Sequence, residues 1–176
     1  MKKVILKCKL TSHDSFEQKL SDIDLDFSPI YWQHDRIYVP RNYKPNANFP
    51  KLIMRTEMQA VDKPAKYHFI LRRHIEDSGV DIVEQTAVTD YEKLVNIILQ
   101  LGFKPIAEVS RRRQELSMGE GTMIYLDKID GKPGYYAKIE SDLQSTDSVE
   151  AARLDLEKTF KTLGESHFVD KPYFEL

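Results

Sequence analysis

The sequence predicts a single α+β domain made mostly of antiparallel strands, with three helices packed on the outside. Polar and apolar residues alternate through most of the chain, which is typical of a sheet with one face on a core. Other segments space their apolar residues as helices do, and turn-forming runs such as DGKPG at 130–134 separate the strands. The chain of 176 residues has the size of one domain. We place this domain at residues 1–164 and a C-terminal tail at 165–176.

The helical spacing of apolar residues predicts three helices, at residues 15–21, 90–101 and 148–163. Asp14 and Thr89 precede the first two helices, and each is followed three residues later by a glutamate, which is the pattern of a capping box. Gly102 and Gly164 follow the second and third helices, at positions where a residue in the left-handed conformation often ends a helix.

The alternating pattern predicts strands in nine segments, at residues 3–10, 29–32, 36–39, 52–55, 67–72, 80–88, 109–113, 121–127 and 135–141. Residues two apart share one face of a strand. In the first segment Val4, Leu6 and Cys8 therefore share an apolar face, whereas Lys7 and Lys9 lie on the opposite face.

A weak internal repeat is visible in the order of these segments. The helix at 15–21 is followed by an apolar strand and then a polar one, and the helix at 90–101 is followed by the same sequence of elements. Two strand–helix–strand halves that share one sheet would explain the repeat. Chance similarity between amphipathic segments is the alternative.

The bulk composition excludes several classes of protein. A net charge of -2 argues against a general nucleic-acid binder, so any basic site must be local. The single cysteine, Cys8, cannot form a disulfide within the chain, which fits a reducing compartment. No apolar run approaches the roughly 20 residues that span a bilayer. We therefore expect a cytoplasmic protein, a monomer or homodimer, that has neither nucleic acid nor membrane as a partner.

Lysine and arginine recur on the polar faces of the predicted strands, at Lys7, Lys9, Arg55, Arg72, Arg111, Arg113 and Lys138. Carboxylates stand on the same faces, at Glu57, Asp127 and Glu140, with Glu84 a further candidate. The planar fork of arginine suits phosphate, and carboxylate oxygens suit Mg²⁺ or Mn²⁺. If the sheet is open, these charges are a solvated surface. If it closes, they line a cavity that suits a polyanion such as a triphosphate.

Several short motifs are similar to those of one known family. Residues 33–38 (QHDRIY) resemble a Gln-x-Asp-x-Tyr-Phe segment, and residues 52–55 (LIMR) are similar to a Leu-Arg-Ile-Arg strand. Residues 99–103 (LQLGF) contain Leu-Gly-Phe, and residues 111–113 stand in the place of Lys-x-Arg. Residues 134–140 (GYYAKIE) resemble Gly-x-Phe-x-Glu-Ile-Glu. Together, over residues 3–143, these motifs resemble the CYTH superfamily of class IV adenylyl cyclases, thiamine triphosphatases and inorganic triphosphatases.

The resemblance implies an eight-stranded antiparallel β tunnel whose polar face points inward. The seven cations given above would then bind the phosphates. Asp127 and Glu140 would be catalytic, and with Glu84 they would hold Mg²⁺ or Mn²⁺. The metal would polarise the phosphates. In the cyclase-like branch the ribose 3′-hydroxyl attacks the α-phosphorus of ATP, and in the hydrolase branch water attacks the terminal phosphorus.

The chain departs from the family pattern at its metal ligands. The Glu-x-Glu-x-Lys hallmark reads KVILK at residues 3–7, and Lys138 replaces the first glutamate of the late motif. Each lost carboxylate removes a ligand, and each added lysine repels a metal, by about 4 kcal/mol at 4 Å and an effective dielectric constant of 20. We therefore expect a binder of ATP, thiamine triphosphate or tripolyphosphate with weak metal-dependent cyclase or triphosphatase activity. The alternatives are a non-catalytic sensor or sponge for nucleotides or polyphosphate, and an interaction module with a solvated, charged sheet.

Overall fold

The protein forms a closed antiparallel β-barrel in the computed structural model, which describes residues 1–44, 49–60, 62–75, 80–144 and 148–176. The strands are β1 (Lys2–Lys9), β2 (Tyr31–Pro40), β3 (Lys51–Met58), β4 (Lys66–Ile75), β5 (Val80–Val88), β6 (Phe103–Gly119), β7 (Thr122–Ile129) and β8 (Tyr136–Asp142). The helices are α1 (His13–Ser21), α2 (Tyr91–Gln100), α3 (Val149–Thr162) and a short 3₁₀ helix (Tyr173–Glu175). The predicted α+β fold with an eight-stranded antiparallel barrel is therefore confirmed.

The order of elements supports the predicted internal repeat. Each half of the chain runs strand, helix and then three strands, with β1 to β4 in the first half and β5 to β8 in the second. Around the barrel the strands follow the order β1-β5-β4-β3-β2-β6-β7-β8. The first strand of each half pairs with the first strand of the other, so the two halves close one sheet.

Two predicted strands are one continuous element. The sequence divides residues 29–32 from 36–39, but β2 runs without a break from Tyr31 to Pro40. The prediction is wrong here because Gln33 and Asp35 are polar yet point into the barrel, which breaks the apolar alternation that sequence reasoning follows.

The helix starts also differ from the prediction. Ser12, not Asp14, caps α1 by accepting a hydrogen bond from the amide of Ser15, and Asp90 caps α2 in place of Thr89. Neighbouring Ser, Thr and Asp side chains can each cap a helix, so the sequence alone does not select among them. Ser148, which the sequence places as the first residue of the third helix, is the N-cap of α3. None of the described helices is both long and apolar enough to span a bilayer.

The helices cover the apolar outer face of the barrel. α1 and α3 pack on β1, β7 and β8, with Phe16 and Phe160 completely buried beside Cys8. α2 packs on β2, β3 and β4, with Ile98 buried against Met54. Because alternate residues of each strand are committed to these outer cores, the polar residues between them turn into the barrel.

The segment predicted as a tail packs along the barrel. The amide of Lys9 donates to the carbonyl of His167 at 2.9 Å, and the amide of Val169 donates to the carbonyl of Lys7 at 2.9 Å. The chain then turns at Pro172 into the 3₁₀ helix, which lies at one end of the barrel. Residues 165–176 therefore help to shape the interior.

Candidate functional site

The barrel encloses two cavities of about 740 and 430 Å³, which meet inside it. We call the larger cavity the large chamber. Its own lining includes Lys3, Tyr31, Glu57, Glu115 and Glu140. We call the smaller cavity the small chamber, and its own lining includes Lys7, Asp35, Lys51, Arg111 and Tyr173. The junction consists of the residues that line both, which are Ile53, Arg55, Arg72, Arg113 and Lys138. The charged strand faces therefore enclose a continuous space and are not an open solvated sheet.

Asp35 holds two of the predicted phosphate-binding arginines. Arg55 donates to both of its carboxylate oxygens, from Nε at 2.7 Å and from Nη2 at 2.9 Å. Arg111 donates from Nη2 to the same carboxylate and from Nε to Oε1 of Gln33 at 2.8 Å. Burial acts to raise the pKa of Asp35, but the Arg111 and Arg55 guanidiniums outweigh it and hold the pKa well below its usual range. Asp35 therefore stays ionised and fixes the orientation of both guanidiniums.

Arg113 and Asp127 form the most deeply buried ion pair. The two parallel bonds run from Nε to Oδ1 at 2.6 Å and from Nη2 to Oδ2 at 2.7 Å, and the side chains are 2% and 0% exposed. Burial acts to raise the pKa of Asp127, but Arg113 outweighs it and lowers the pKa. Both carboxylate oxygens of Asp127 face Arg113, and Asp127 lines neither chamber. Asp127 is therefore placed to orient an arginine.

The remaining junction cations also have acidic partners. Arg72 donates from Nε to Oδ2 of Asp81 at 2.7 Å. Glu140 accepts a hydrogen bond from Lys138 and lies 3.4 Å from Nζ of Lys3. Burial acts to raise the pKa of Glu140, yet the two lysines hold it well below its ordinary value. The wall of the junction is therefore a set of ion pairs, most of them between neighbouring strands and one, Lys138 with Glu140, within β8.

Lys7 and Lys51 differ from the junction cations. Neither has a carboxylate within 4.0 Å among the described residues. Burial, with a smaller effect from the Arg72 charge, lowers the pKa of Lys7 to about 8. Lys9, by contrast, is exposed and does not line either chamber, because β1 has reached the end of the barrel there.

The three predicted metal ligands do not come together. Glu84 is 68% exposed, pairs with the amino group of Met1, and lines the large chamber together with Met1. In the pairing of β7 with β8, Asp127 lies opposite Tyr136, whereas Glu140 lies opposite Met123. Asp127 and Met123 are four residues apart along β7, so Asp127 and Glu140 are separated by roughly 13 Å along the strands, at 3.3 Å per residue. Among the described residues, no group of three His, Cys, Asp or Glu side chains could hold a metal ion. The residues present therefore do not fit a protein-held Mg²⁺ or Mn²⁺.

Several interior residues are not among the predicted site residues. Asp35 and Asp81 orient arginines, and the Tyr31 hydroxyl donates to Glu115 at 2.9 Å inside the large chamber. Alternation could have placed Asp35 inside, because Gln33 and Ile37 lie on the same face of β2. The pairing of acids with cations depends on the register between strands, which a single sequence does not show.

Acid should destabilise the protein through its buried carboxylates. The folded pKa values of Asp35, Asp127 and Glu140 lie below their ordinary values, which are about 3.9 for Asp and 4.3 for Glu. Between the folded pKa and the unfolded pKa of each carboxyl group, the unfolded chain binds more protons than the folded protein does. The free energy of unfolding therefore rises with pH in that range. Urea unfolding at pH 7, 5, 4 and 3 should show a stability that is nearly constant above about pH 5 and falls steeply below about pH 4. A flat profile from pH 5 to 3 would contradict the ion pairing. An Asp155→Asn variant, in which an exposed carboxylate is lost, should keep the wild-type profile.

The barrel is similar to those of several solved structures. The PH1819 protein from Pyrococcus horikoshii shares 21% identity over 98% of this chain and 96% of its own, with a TM-score of 0.83. A presumed adenylate cyclase from Vibrio parahaemolyticus shares 19% identity over 98% of this chain and 95% of its own, with a TM-score of 0.81. HpAC1 from Hippeastrum is a presumed adenylyl cyclase described as having a dominant triphosphatase activity. It shares 16% identity over 99% of this chain and 94% of its own, with a TM-score of 0.62.

At such identities these similarities establish the fold and not the activity. No protein-family model and no curated protein sequence matches the chain.

Proposed function

We propose that the protein binds a nucleoside or inorganic triphosphate at the junction of its two chambers and turns it over slowly at most. The observation that carries this proposal is the convergence of Arg55, Arg72, Arg113 and Lys138 on the line where the chambers meet. The cavity volumes are in the range of small-molecule sites, about 300 to 1,000 Å³. A barrel similar to those of presumed cyclases and a triphosphatase supports the same ligand class.

The ion pairs leave the arginines able to bind phosphate. A guanidinium carries five N–H donors in a fixed plane. Arg55 and Arg113 each direct Nε and one Nη2 donor at a carboxylate, so part of each donor set is free to face a ligand. The carboxylates therefore hold the guanidiniums in place, and a triphosphate that enters would find oriented donors.

The same carboxylates oppose efficient catalysis. They add negative charge close to the phosphates, and they do not assemble a protein-held metal site. Without such a metal, the negative charge that develops on the leaving group is stabilised by cations already shared with acids. Binding should therefore not require a divalent metal, and turnover should be slow.

A thermal-shift screen tests the proposed ligand class. Tripolyphosphate, ATP and thiamine triphosphate should each be added with Mg²⁺, with Mn²⁺ and with EDTA, and products should be measured in parallel. We expect a stabilising shift that survives EDTA, because binding to the native state raises stability. Rapid turnover with metal would overturn the claim of weak catalysis, and a shift that strictly requires metal would overturn metal-independent binding.

The completeness of the ion pairing favours a second candidate, an ion-paired barrel that takes no small-molecule ligand. Asp35, Asp81, Asp127 and Glu140 together neutralise most of the interior cations. This candidate predicts that no triphosphate shifts the melting temperature under any of the three conditions. The two candidates therefore give opposite results in the same screen.

A further inference from the structure

The C-terminal strap, which we define as residues 170–176, closes the end of the small chamber. Asp170, Pro172, Tyr173, Phe174 and Glu175 all line this chamber. Apolar side chains of the strap pack with an apolar cluster inside the barrel that includes Ile37 and Ile53. Ligand access through this end of the barrel therefore requires the strap to move.

The strap contacts the cations of the small chamber through neutral groups, at positions that an anion would favour, while its Asp170 and Glu175 act on Lys7 and Lys51 from a longer distance. Lys7 donates a hydrogen bond from Nζ to the carbonyl of Lys171 and lies 5.6 Å from the ring centroid of Tyr173. Arg111 lies 5.7 Å from the same centroid, and Lys51 lies 5.1 Å from the centroid of Phe174. These are weaker partners for a cation than a phosphate oxygen, which forms a charge-assisted hydrogen bond.

The polar anchor of the strap is weak. The hydroxyl oxygen of Tyr173 is buried and makes no hydrogen bond of ordinary geometry among the described residues. Burial raises the pKa of Tyr173 well above its usual value, and the nearby Asp127 carboxylate adds to this by its charge and as a hydrogen-bond acceptor, so the phenol remains neutral. Both oxygens of Asp127 already accept hydrogen bonds from Arg113. A poorly satisfied buried hydroxyl costs free energy, so Tyr173 holds the strap less firmly than its buried ring alone would.

We propose that the strap is an internal competitor of the ligand, which a triphosphate displaces when its phosphates reach Lys7, Lys51 and Arg111. This inference rests on the proposed function, since it describes how the same site is regulated. In the ligand-free protein the strap supplies a carbonyl and two aromatic rings to these cations. In the bound state phosphate oxygens replace them, and the strap leaves the small chamber.

Two substitutions at Tyr173 should change ligand affinity in opposite directions. Tyr173→Ala removes the ring that covers Arg111 and Lys7, so tripolyphosphate should bind about tenfold more tightly. Tyr173→Phe keeps the ring and removes the poorly satisfied hydroxyl, so the strap should hold more firmly and tripolyphosphate should bind several-fold more weakly. Tyr67→Ala is the matched control, because Tyr67 packs against Tyr91 outside the barrel, and its affinity should equal that of the wild type.

Hydrogen exchange of the full chain gives an independent measure of strap release. The amide of Val169, the residue just before the strap, donates to the carbonyl of Lys7, and the amide of Glu175 within the strap donates to the carbonyl of Pro172. Displacement of the strap should speed the exchange of both amides when tripolyphosphate is added. Unchanged exchange together with equal affinities, or weaker binding by Tyr173→Ala, would overturn the strap proposal while leaving the proposed function intact. A failure of the wild type and all variants to bind tripolyphosphate would overturn both proposals.

Discussion

Replacing Asp127 with alanine should lower the free energy of unfolding by about 3 to 5 kcal/mol, the usual cost of breaking a buried ion pair from one side. Arg113 would remain completely enclosed without a counter-charge, because both of its side-chain hydrogen bonds to described residues go to this carboxylate. Moving an unpaired charge out of water is costly, and a guanidinium does not escape the cost by losing its proton. Urea unfolding followed by circular dichroism measures the change.

A control variant and a double variant make this prediction specific. Asp155→Ala removes a carboxylate that is 73% exposed and pairs with Lys158 on α3, and it should cost no more than about 1 kcal/mol. Combining Asp127→Ala with Arg113→Leu should recover much of the lost stability, because no buried charge is then left alone. If Asp127→Ala is as mild as Asp155→Ala, the buried ion pair does not exist as described.

Replacing Arg72 with glutamine should weaken tripolyphosphate binding roughly ten- to hundredfold, since a hydrogen bond to a charged group contributes about 1.5 to 3 kcal/mol. Arg72 lines both chambers and is more exposed than the other junction arginines, so the variant should fold. Asp81 keeps His74 as a partner at 2.8 Å after the substitution. Titration calorimetry at fixed ionic strength measures the loss.

The next residue along β4 supplies the matched control. Arg73 is exposed and faces away from the barrel interior, opposite Ile82 on β5. Arg73→Gln removes the same charge from the same strand, so it tests whether the interior position matters or only the net charge. Equal losses for the two variants would show that tripolyphosphate does not bind inside the barrel.

The alternation of residues within single strands made much of the fold predictable. Val4, Leu6 and Cys8 identify the outer face of β1, and Arg111 and Arg113 point inward while Arg112 points outward, as expected. The closed barrel itself came from the resemblance to a family. Local periodicity does not distinguish an open sheet from a closed one, because both present one apolar face to a core.

The partners of the site residues could not be predicted, because they depend on register. Asp35 meets Arg55 and Arg111 because β2 lies between β3, the next strand of the chain, and β6, which is far from β2 in the sequence. The proposed metal ligands fail for the same reason: Asp127 and Glu140 lie on neighbouring strands but at different levels of the barrel. The role of Tyr173 was also missed, because a short C-terminal segment has no periodicity that reveals where it packs.

The departures from the family hallmark have a structural counterpart. Lys3 stands where the hallmark has its first glutamate, and its Nζ lies 3.4 Å from Glu140 and 3.3 Å from Asp142. Lys138 replaces another glutamate and also pairs with Glu140. Glu140, which the resemblance assigned to metal binding, is therefore engaged by two lysines. This is a physical reason why triphosphate binding should persist without a protein-held metal.

A calorimetric titration of the protein with tripolyphosphate in EDTA is the most direct test of metal-independent binding inside the barrel. We expect saturable binding at a single site, with an affinity that falls as salt is added, because the ligand is held by charge. Absence of binding in EDTA, at low salt and with the protein shown to be folded, would contradict it.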